Sequence, residues 1–242
     1  MCYRTGMLLK FCFAGLFLAA LLAGCAGVGV EEEKEAEFHL KMGSSSLNEG
    51  NVQGAFVELQ KSMQLNPNNK ETLNTLGLVY IHLDDFNKAK DLFIRAISLD
   101  AEFSEAHNNL GLAYAKSQEW EKAIDSYKKA LLNPLFQTPE KAFGNLGTAY
   151  YRSGQYDLAA NAFKDAIRRN QQFVQAYYGL ALYYNKASRY GDAANALKQA
   201  LQVDPEYGGN ANKYAEETRR RLLSAKGDEE QDLKDLLEIL NY

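Results

Sequence analysis

The stretch SEAHNNLGLAYAKSQEWEKAIDSYKKALLNPLFQ, residues 104–137, decides the fold of this 242-residue chain. It places Gly111 ahead of Ala123, twelve residues later, and Tyr127, sixteen residues later. Small side chains at the first two positions allow two helices to approach closely, and a large aromatic ring fills the space beside that contact. The stretch therefore predicts a helix–turn–helix hairpin.

The same spacing recurs on both sides of this stretch. The residues in phase with Gly111 are Gly43, Gly77, Gly147 and Ala181, and they follow one another at intervals of 34 or 36 residues. The residues in phase with Tyr127 are Leu59, Phe93, Phe163 and Leu197. Because one hairpin cannot bury its apolar face alone, five of them predict a stacked array. We expect Ala159 to lie between the two helices of the fourth hairpin and Ala142 to be exposed.

Turn residues and prolines in the sequence also indicate where the helices end. Glu49-Gly50-Asn51 and Ser153-Gly154-Gln155 are typical of the turn within a hairpin. Pro134 and Pro139 forbid a continuous helix after the third hairpin, so the 36-residue spacing indicates a longer loop there.

This phasing resembles the tetratricopeptide repeat (TPR), a helix–turn–helix unit of 34 residues. The resemblance implies an all-α fold, a TPR superhelical solenoid of five helix–turn–helix repeats plus a C-terminal capping helix pair. The predicted units are 36–69, 70–103, 104–137, 140–173 and 174–207, which together span 36–207. Residues 208–242 are expected to form a degenerate sixth unit or capping helices, because Leu233, Leu236, Leu237 and Leu240 share one helical face.

Composition and motifs argue against catalysis. The formal charge is −4, which gives no electrostatic footprint for nucleic acid. The three histidines show no metal-ligand spacing, and no phosphate-binding loop, dinucleotide fingerprint or Gly-x-Ser-x-Gly motif occurs. We therefore expect a binding protein rather than an enzyme, with no cofactor, no metal and no small-molecule substrate.

The N-terminal sequence is typical of a targeting segment. Arg4 and Lys10 precede thirteen uncharged, mostly apolar residues, which is typical of a secretory signal peptide over 1–24. Leu22-Ala23-Gly24-Cys25 resembles the bacterial lipobox, and the resemblance implies that Cys25 is lipidated and begins the mature chain. Residues 25–35 would then be an acidic tether. An ordinary signal peptide and an uncleaved membrane helix over 11–30 remain the alternatives.

A binding groove is predicted from the TPR resemblance, in which the first helix of each unit lines the concave side. The residues at the groove positions include Leu78, His82, Asn108, Leu112, Lys116, Tyr151, Arg152, Tyr178, Leu182 and Lys186. Apolar and aromatic centres surrounded by basic side chains suit an extended or helical peptide with acidic groups. The alternative is an inner face that is merely solvated.

The combination of lipobox, short tether and TPR units resembles the type IV pilus biogenesis lipoproteins, the pilotin (PilF/PilW) family. Asn133-Pro134-Leu135-Phe136, Pro139-Glu140-Lys141-Ala142 and Asn145-Leu146-Gly147 are similar to that family's junction between units. The resemblance implies a Gram-negative lipoprotein anchored in the outer membrane and facing the periplasm. It also implies a secretin subunit as the protein partner, whose assembly for the pilus it promotes. The alternative is an adaptor for periplasmic proteases or cell-wall hydrolases, similar to NlpI.

The lipobox generates a test of the anchor. We predict that Cys25→Ala abolishes incorporation of labelled palmitate and leaves the protein unprocessed or mislocalised, because the thiol is the acylated group. Metabolic labelling of the wild type and the variant in intact cells measures this. Undiminished labelling of the variant, or fractionation of the wild type with the inner membrane, would contradict the prediction.

Overall fold

The structure is a computed structural model that describes residues 29–242. The predicted signal peptide over 1–24 and the predicted lipidation site Cys25 lie outside the described residues. The described part of the chain contains helices and turns but no strand. It falls into two compact units, which divide between Leu99 and Asp100.

The described residues of the first unit, 29–99, form four helices. Their bounds are α1 (29–48), α2 (Val52–Leu65), α3 (Lys70–His82) and α4 (Phe86–Leu99). Asn51 and Asn69 cap α2 and α3, since each side-chain oxygen accepts a hydrogen bond from a backbone N–H three residues later. Residues 29–35, predicted as part of a tether, are helical and continuous with α1.

The second unit holds eight helices. Their bounds are α5 (Ser104–Lys116), α6 (Trp120–Ala130), α7 (Pro139–Arg152), α8 (Tyr156–Arg169), α9 (Val174–Lys186), α10 (Tyr190–Val203), α11 (Ala211–Leu222) and α12 (Asp228–Ile239). Sequence neighbours pack as hairpins, α5 with α6, α7 with α8 and α9 with α10, and successive hairpins pack on one another. The predicted fold class, an all-α array of TPR hairpins, is confirmed.

A close approach between the two helices defines each hairpin. A Cβ atom on Gly77 would lie 2.5 Å from Phe93, and one on Gly111 would lie 2.6 Å from Tyr127. The partner in each case is the large residue sixteen positions later. Only glycine leaves room for these rings, so the glycine fixes how near the second helix can come. The fifth hairpin has alanine in place of the glycine and leucine in place of the aromatic residue. These residues, Ala181 and Leu197, are both fully buried.

The turn inside each hairpin requires a left-handed residue at one fixed phase. Gly50 and Gly154 occupy it with φ of 77° and 79°, values that glycine adopts without strain. The other three turns place Asp84, Gln118 and Ser188 there, with φ between 55° and 59°. A side chain in this region costs about 1–2 kcal/mol, so the packing of the flanking helices holds these turns in place.

Burial was predicted for Ala159 and exposure for Ala142, and only the first prediction is confirmed. Ala159 is fully buried between α7 and α8, as expected. Ala142, expected to be exposed, is also fully buried. The same phase is fully buried in the neighbouring hairpins, at Ala106 and Ala176, and Phe136 of the loop after α6 also packs on Ala142. The prediction for Ala142 was wrong because this position lies on the packing face of the first helix in each hairpin from the second to the fifth.

The C-terminal helices are α11 and α12, close to the 210–225 and 229–241 expected from the sequence. Leu233, Leu236 and Ile239 are buried, so one face of α12 is a packing face. That face contacts α9 and α10 as well as α11. Within residues 29–242, no helix has both the length and the apolar character that a membrane crossing requires.

The glycine contact predicts a non-additive mutation cycle in the fourth hairpin. A Cβ on Gly147 would lie 2.6 Å from the Phe163 ring, so Gly147→Ala should destabilise by about 1 kcal/mol net, overpacking outweighing helix propensity. Phe163→Leu should relieve the clash, because alanine and leucine then face each other as Ala181 and Leu197 do in the fifth hairpin. We expect the double variant to be about 1 kcal/mol more stable than the sum of the single variants predicts. Urea denaturation measures all three.

Gly191→Ala is the matched control. Gly191 also lies in a helix, but a Cβ there would meet nothing within 4 Å. This substitution should be neutral or stabilising. Equal stability of Gly147→Ala and Gly191→Ala, or strict additivity in the cycle, would contradict the close-contact account.

Candidate protein-binding groove

Four of the predicted groove residues line one cavity of the second unit. Tyr151 and Arg152 come from the end of α7, and Tyr178 and Leu182 come from α9. The cavity has a volume of about 450 Å³. The other lining residues are Thr148, Phe163, Gln175, Gly179, Asp204, Glu206, Tyr207, Tyr214, Arg221, Glu229, Asp232, Leu233 and Leu236. We call this cavity the α7–α9 groove.

The remaining predicted residues lie elsewhere. Leu78 and His82 are on α3 in the first unit, half-buried and exposed respectively. The other four are in the second unit but do not line the cavity: half-buried Asn108 and Leu112 and exposed Lys116 on α5, and exposed Lys186 at the end of α9.

Asn108 shows how α5 joins the next hairpin. The Asn145 side-chain amide of α7 donates to its Oδ1 at 3.3 Å. Neighbouring first helices of the hairpins are thus linked by polar contacts along the predicted groove side.

Aromatic rings form one wall of the α7–α9 groove. Tyr178 stacks on Tyr214 of α11 with ring centroids 5.6 Å apart, and Tyr207 meets Tyr214 edge-on at 5.0 Å. The Tyr178 hydroxyl donates to the Asp204 carboxylate at 3.2 Å. Rings held in this way present rigid apolar surface with polar tips, a surface suited to protein contacts.

Arg152 is the more buried of the two arginines that line the groove, and its side chain is 18% exposed. Its guanidinium donates to both carboxylate oxygens of Asp232 on α12, one of them at 3.0 Å. The Nε atom also lies 3.6 Å from the Asp228 carboxylate, and the guanidinium lies over the Tyr151 ring at 5.5 Å. Two-point pairing of this kind fixes the orientation of the carboxylate as well as its charge.

Burial keeps the groove tyrosines neutral. Desolvation raises the pKa of Tyr151 to about 12, and the nearby Asp232 and Asp235 carboxylates add to the shift. Desolvation, with Tyr214 and Asp204 beside it, also raises the pKa of Tyr178. At physiological pH both phenols therefore act as hydrogen-bond donors and apolar rings, never as anions.

Helix α12 covers the groove, which sequence reasoning did not predict. Leu233 and Leu236 reach into the cavity wall while Asp232 pairs with Arg152. Farther along, the Tyr242 hydroxyl donates to Asn185 at the end of α9 at 2.7 Å. Charge is the sequence feature that could have indicated this position. Helix α12 holds six acidic residues and one lysine, and the predicted groove residues include basic side chains.

The groove offers binding chemistry. Its charged and phenolic groups are two arginines, four tyrosine phenols and four carboxylates. Within residues 29–242, no cluster of three or more His, Cys, Asp or Glu side chains is arranged to hold a metal ion. Stacked rings beside a partly buried cation are suited to holding a helix that carries carboxylates.

Three family models match the chain, and all three describe the tetratricopeptide repeat. They match residues 71–103, 104–132 and 145–211, which together exceed half of the chain. None of them is a model of a catalytic domain. No curated protein sequence matches the chain.

Solved structures share the fold. PilW, described as a widely conserved type IV pilus biogenesis factor, aligns with a TM-score of 0.66 at 20% identity, covering 84% of this chain and 98% of PilW. PilF of Pseudomonas aeruginosa gives 0.66 at 19% identity, covering 84% of this chain and 98% of PilF. MamA gives 0.58 at 29% identity over 67% of this chain and 94% of MamA. At these identities the PilW and PilF alignments show the fold alone.

Proposed function

We propose, from the premise that the chain belongs to the tetratricopeptide-repeat proteins and is a protein-interaction scaffold, that its partner is a secretin subunit. In this proposal the protein is a lipoprotein of the outer membrane that faces the periplasm. It brings the secretin to that membrane and promotes its assembly for type IV pilus biogenesis. The protein binds rather than catalyses.

One observation carries the proposal: a lipobox precedes a repeat array that begins a few residues after it. Leu22-Ala23-Gly24-Cys25 supplies a lipidation signal, and hairpins begin within about ten residues of it. Acyl chains contribute about 0.8 kcal/mol per buried methylene, so several of them anchor firmly. An anchored scaffold with no catalytic domain suits the escort of another protein to a membrane.

The likeness to PilW and PilF supports the choice of machine. Each aligns over 98% of its own length, so the correspondence extends across nearly all of either protein and is not limited to a pair of repeats. The printed description of PilW names type IV pilus biogenesis. The Asn145-Leu146-Gly147 junction supports the same assignment from the sequence side.

The groove side supports a protein ligand with acidic groups. Lys116 and Lys186 are exposed at the ends of α5 and α9, and Lys116 follows the half-buried Leu112 by one helical turn. Rim lysines of this kind act mainly on association rate and its salt dependence. A partner segment with carboxylates would therefore be attracted to this side of the second unit.

We predict that cells lacking this protein lose most of the heat-resistant secretin multimer from their outer membranes. A Lys116→Glu, Lys186→Glu double variant should restore less multimer than the wild type, because both charges that attract the partner are reversed. Immunoblots of unheated outer-membrane fractions measure the amount. Lys164→Glu, an exposed reversal on α8, is the matched control and should restore the multimer fully.

The outcomes separate the function from the surface. Normal multimers in the absence of the protein would exclude the secretin role and favour the adaptor for periplasmic proteases or cell-wall hydrolases. Normal multimers with the double lysine variant, but none without the protein, would retain the function and exclude this surface.

A further inference from the structure

Helix α12 is an acidic amphipathic helix. It carries six carboxylates and a single lysine in twelve residues, and its apolar side chains repeat at a spacing of three: Leu233, Leu236 and Ile239. All three are buried. Two of the carboxylates, Asp228 and Asp232, lie four residues apart and so share one face of the helix.

The surface beneath α12 complements it in charge and shape. Arg152 pairs with Asp232 and lies near Asp228, so both carboxylates of that face meet one guanidinium. One turn farther along, burial raises the pKa of the Asp235 carboxyl while the Lys186 charge opposes that shift. The apolar stripe packs against α9 and α10. Helix α12 therefore binds the groove as a ligand helix would.

The hairpins beneath α12 also make contacts with each other that do not involve it, although Leu236 and Ile239 extend the same core. The contacts between α7 and α8 and between α9 and α10 are made by residues such as Gly147 with Phe163 and Ala181 with Leu197. The segment from Leu223 to Gly227 joins α11 to α12 outside any helix. Leu223 is 89% exposed and Gly227 has φ of 60°, so neither residue ties the connection to the hairpins by a buried side chain.

We propose that α12 is an intramolecular occupant of the α7–α9 groove, and that the same groove binds an acidic amphipathic helix of a partner protein when α12 leaves. The partner helix carries two carboxylates four residues apart, followed by an apolar stripe at a spacing of three. Arg152 receives the carboxylates, and the apolar stripe replaces Leu233 and Leu236. Binding is consequently weakened by whatever keeps α12 in place.

The groove proposal concerns Arg152 and the cavity, whereas the proposed function is tested at Lys116 and Lys186, which do not line the cavity. It names the chemistry of the segment that the groove accepts, and it holds for any partner with such a helix. The experiment below contains no secretin, so its failure leaves the secretin test intact, and failure of the secretin test leaves this one intact.

The test uses the purified full chain and a fluorescein-labelled synthetic peptide of residues 227–242. In the wild type the tethered α12 competes at high effective concentration and should exclude the peptide. Asp232→Arg places two cations together and releases α12, while Arg152 stays available to the peptide's own aspartate. We expect the peptide to bind this variant at least about tenfold more tightly than the wild type, as measured by anisotropy.

Two controls define the specificity. Glu230→Arg makes the same change of charge on the same helix. Within residues 29–242, however, Glu230 pairs only with Lys234 of α12, so this variant should bind the peptide as weakly as the wild type. A scrambled peptide of identical composition should bind neither chain.

The reciprocal variant guards against misfolding of Asp232→Arg. Arg152→Glu also releases α12, and it should bind a peptide in which Asp228 and Asp232 are replaced by arginine but not the unmodified peptide. Circular dichroism confirms that each chain is helical. The proposal is overturned if the wild type binds as tightly as Asp232→Arg, or if neither folded variant binds its matched peptide.

Discussion

The contact between a glycine and the large side chain sixteen residues later is the constraint on which the rest of the structure depends. At Gly111 and Gly147 a single added carbon would lie 2.6 Å from an aromatic ring of the facing helix. This contact sets the distance between the two helices of a hairpin. The hairpin geometry in turn decides which side chains of α7 and α9 point toward a common groove, so the binding surface is a consequence of packing.

One side of the groove is formed by the packed hairpins, and the other side is covered by α12. Its floor belongs to hairpins that pack through their own buried contacts. Its cover, α12, is held by the pair between Arg152 and Asp232 and by three apolar side chains. A partly buried ion pair of this kind specifies where a helix lies more than it adds net stability.

Much of this architecture could be predicted from the sequence because the same spacing of small and large residues recurs in each repeat. The five hairpins and their turns follow from the spacing of Gly43, Gly77 and their counterparts. The repeat ends with the fifth hairpin, so the position of α12 did not follow from it, whereas the burial of Ala142 matches that of Ala106 and Ala176 at the same phase. The apolar face of α12 could be predicted, but its docking site is set by tertiary complementarity with Arg152.

Amide hydrogen exchange of the wild-type full chain, followed by mass spectrometry, tests most directly whether α12 occupies the groove. Protection reports how rarely a segment opens, and an isolated helix of twelve residues is marginal in water. We predict that the amides of Asp228–Ile239 exchange at least about tenfold more slowly than those of the free 227–242 peptide. Exchange of α12 at the rate of the free peptide, with α7 and α9 still protected, would contradict the account.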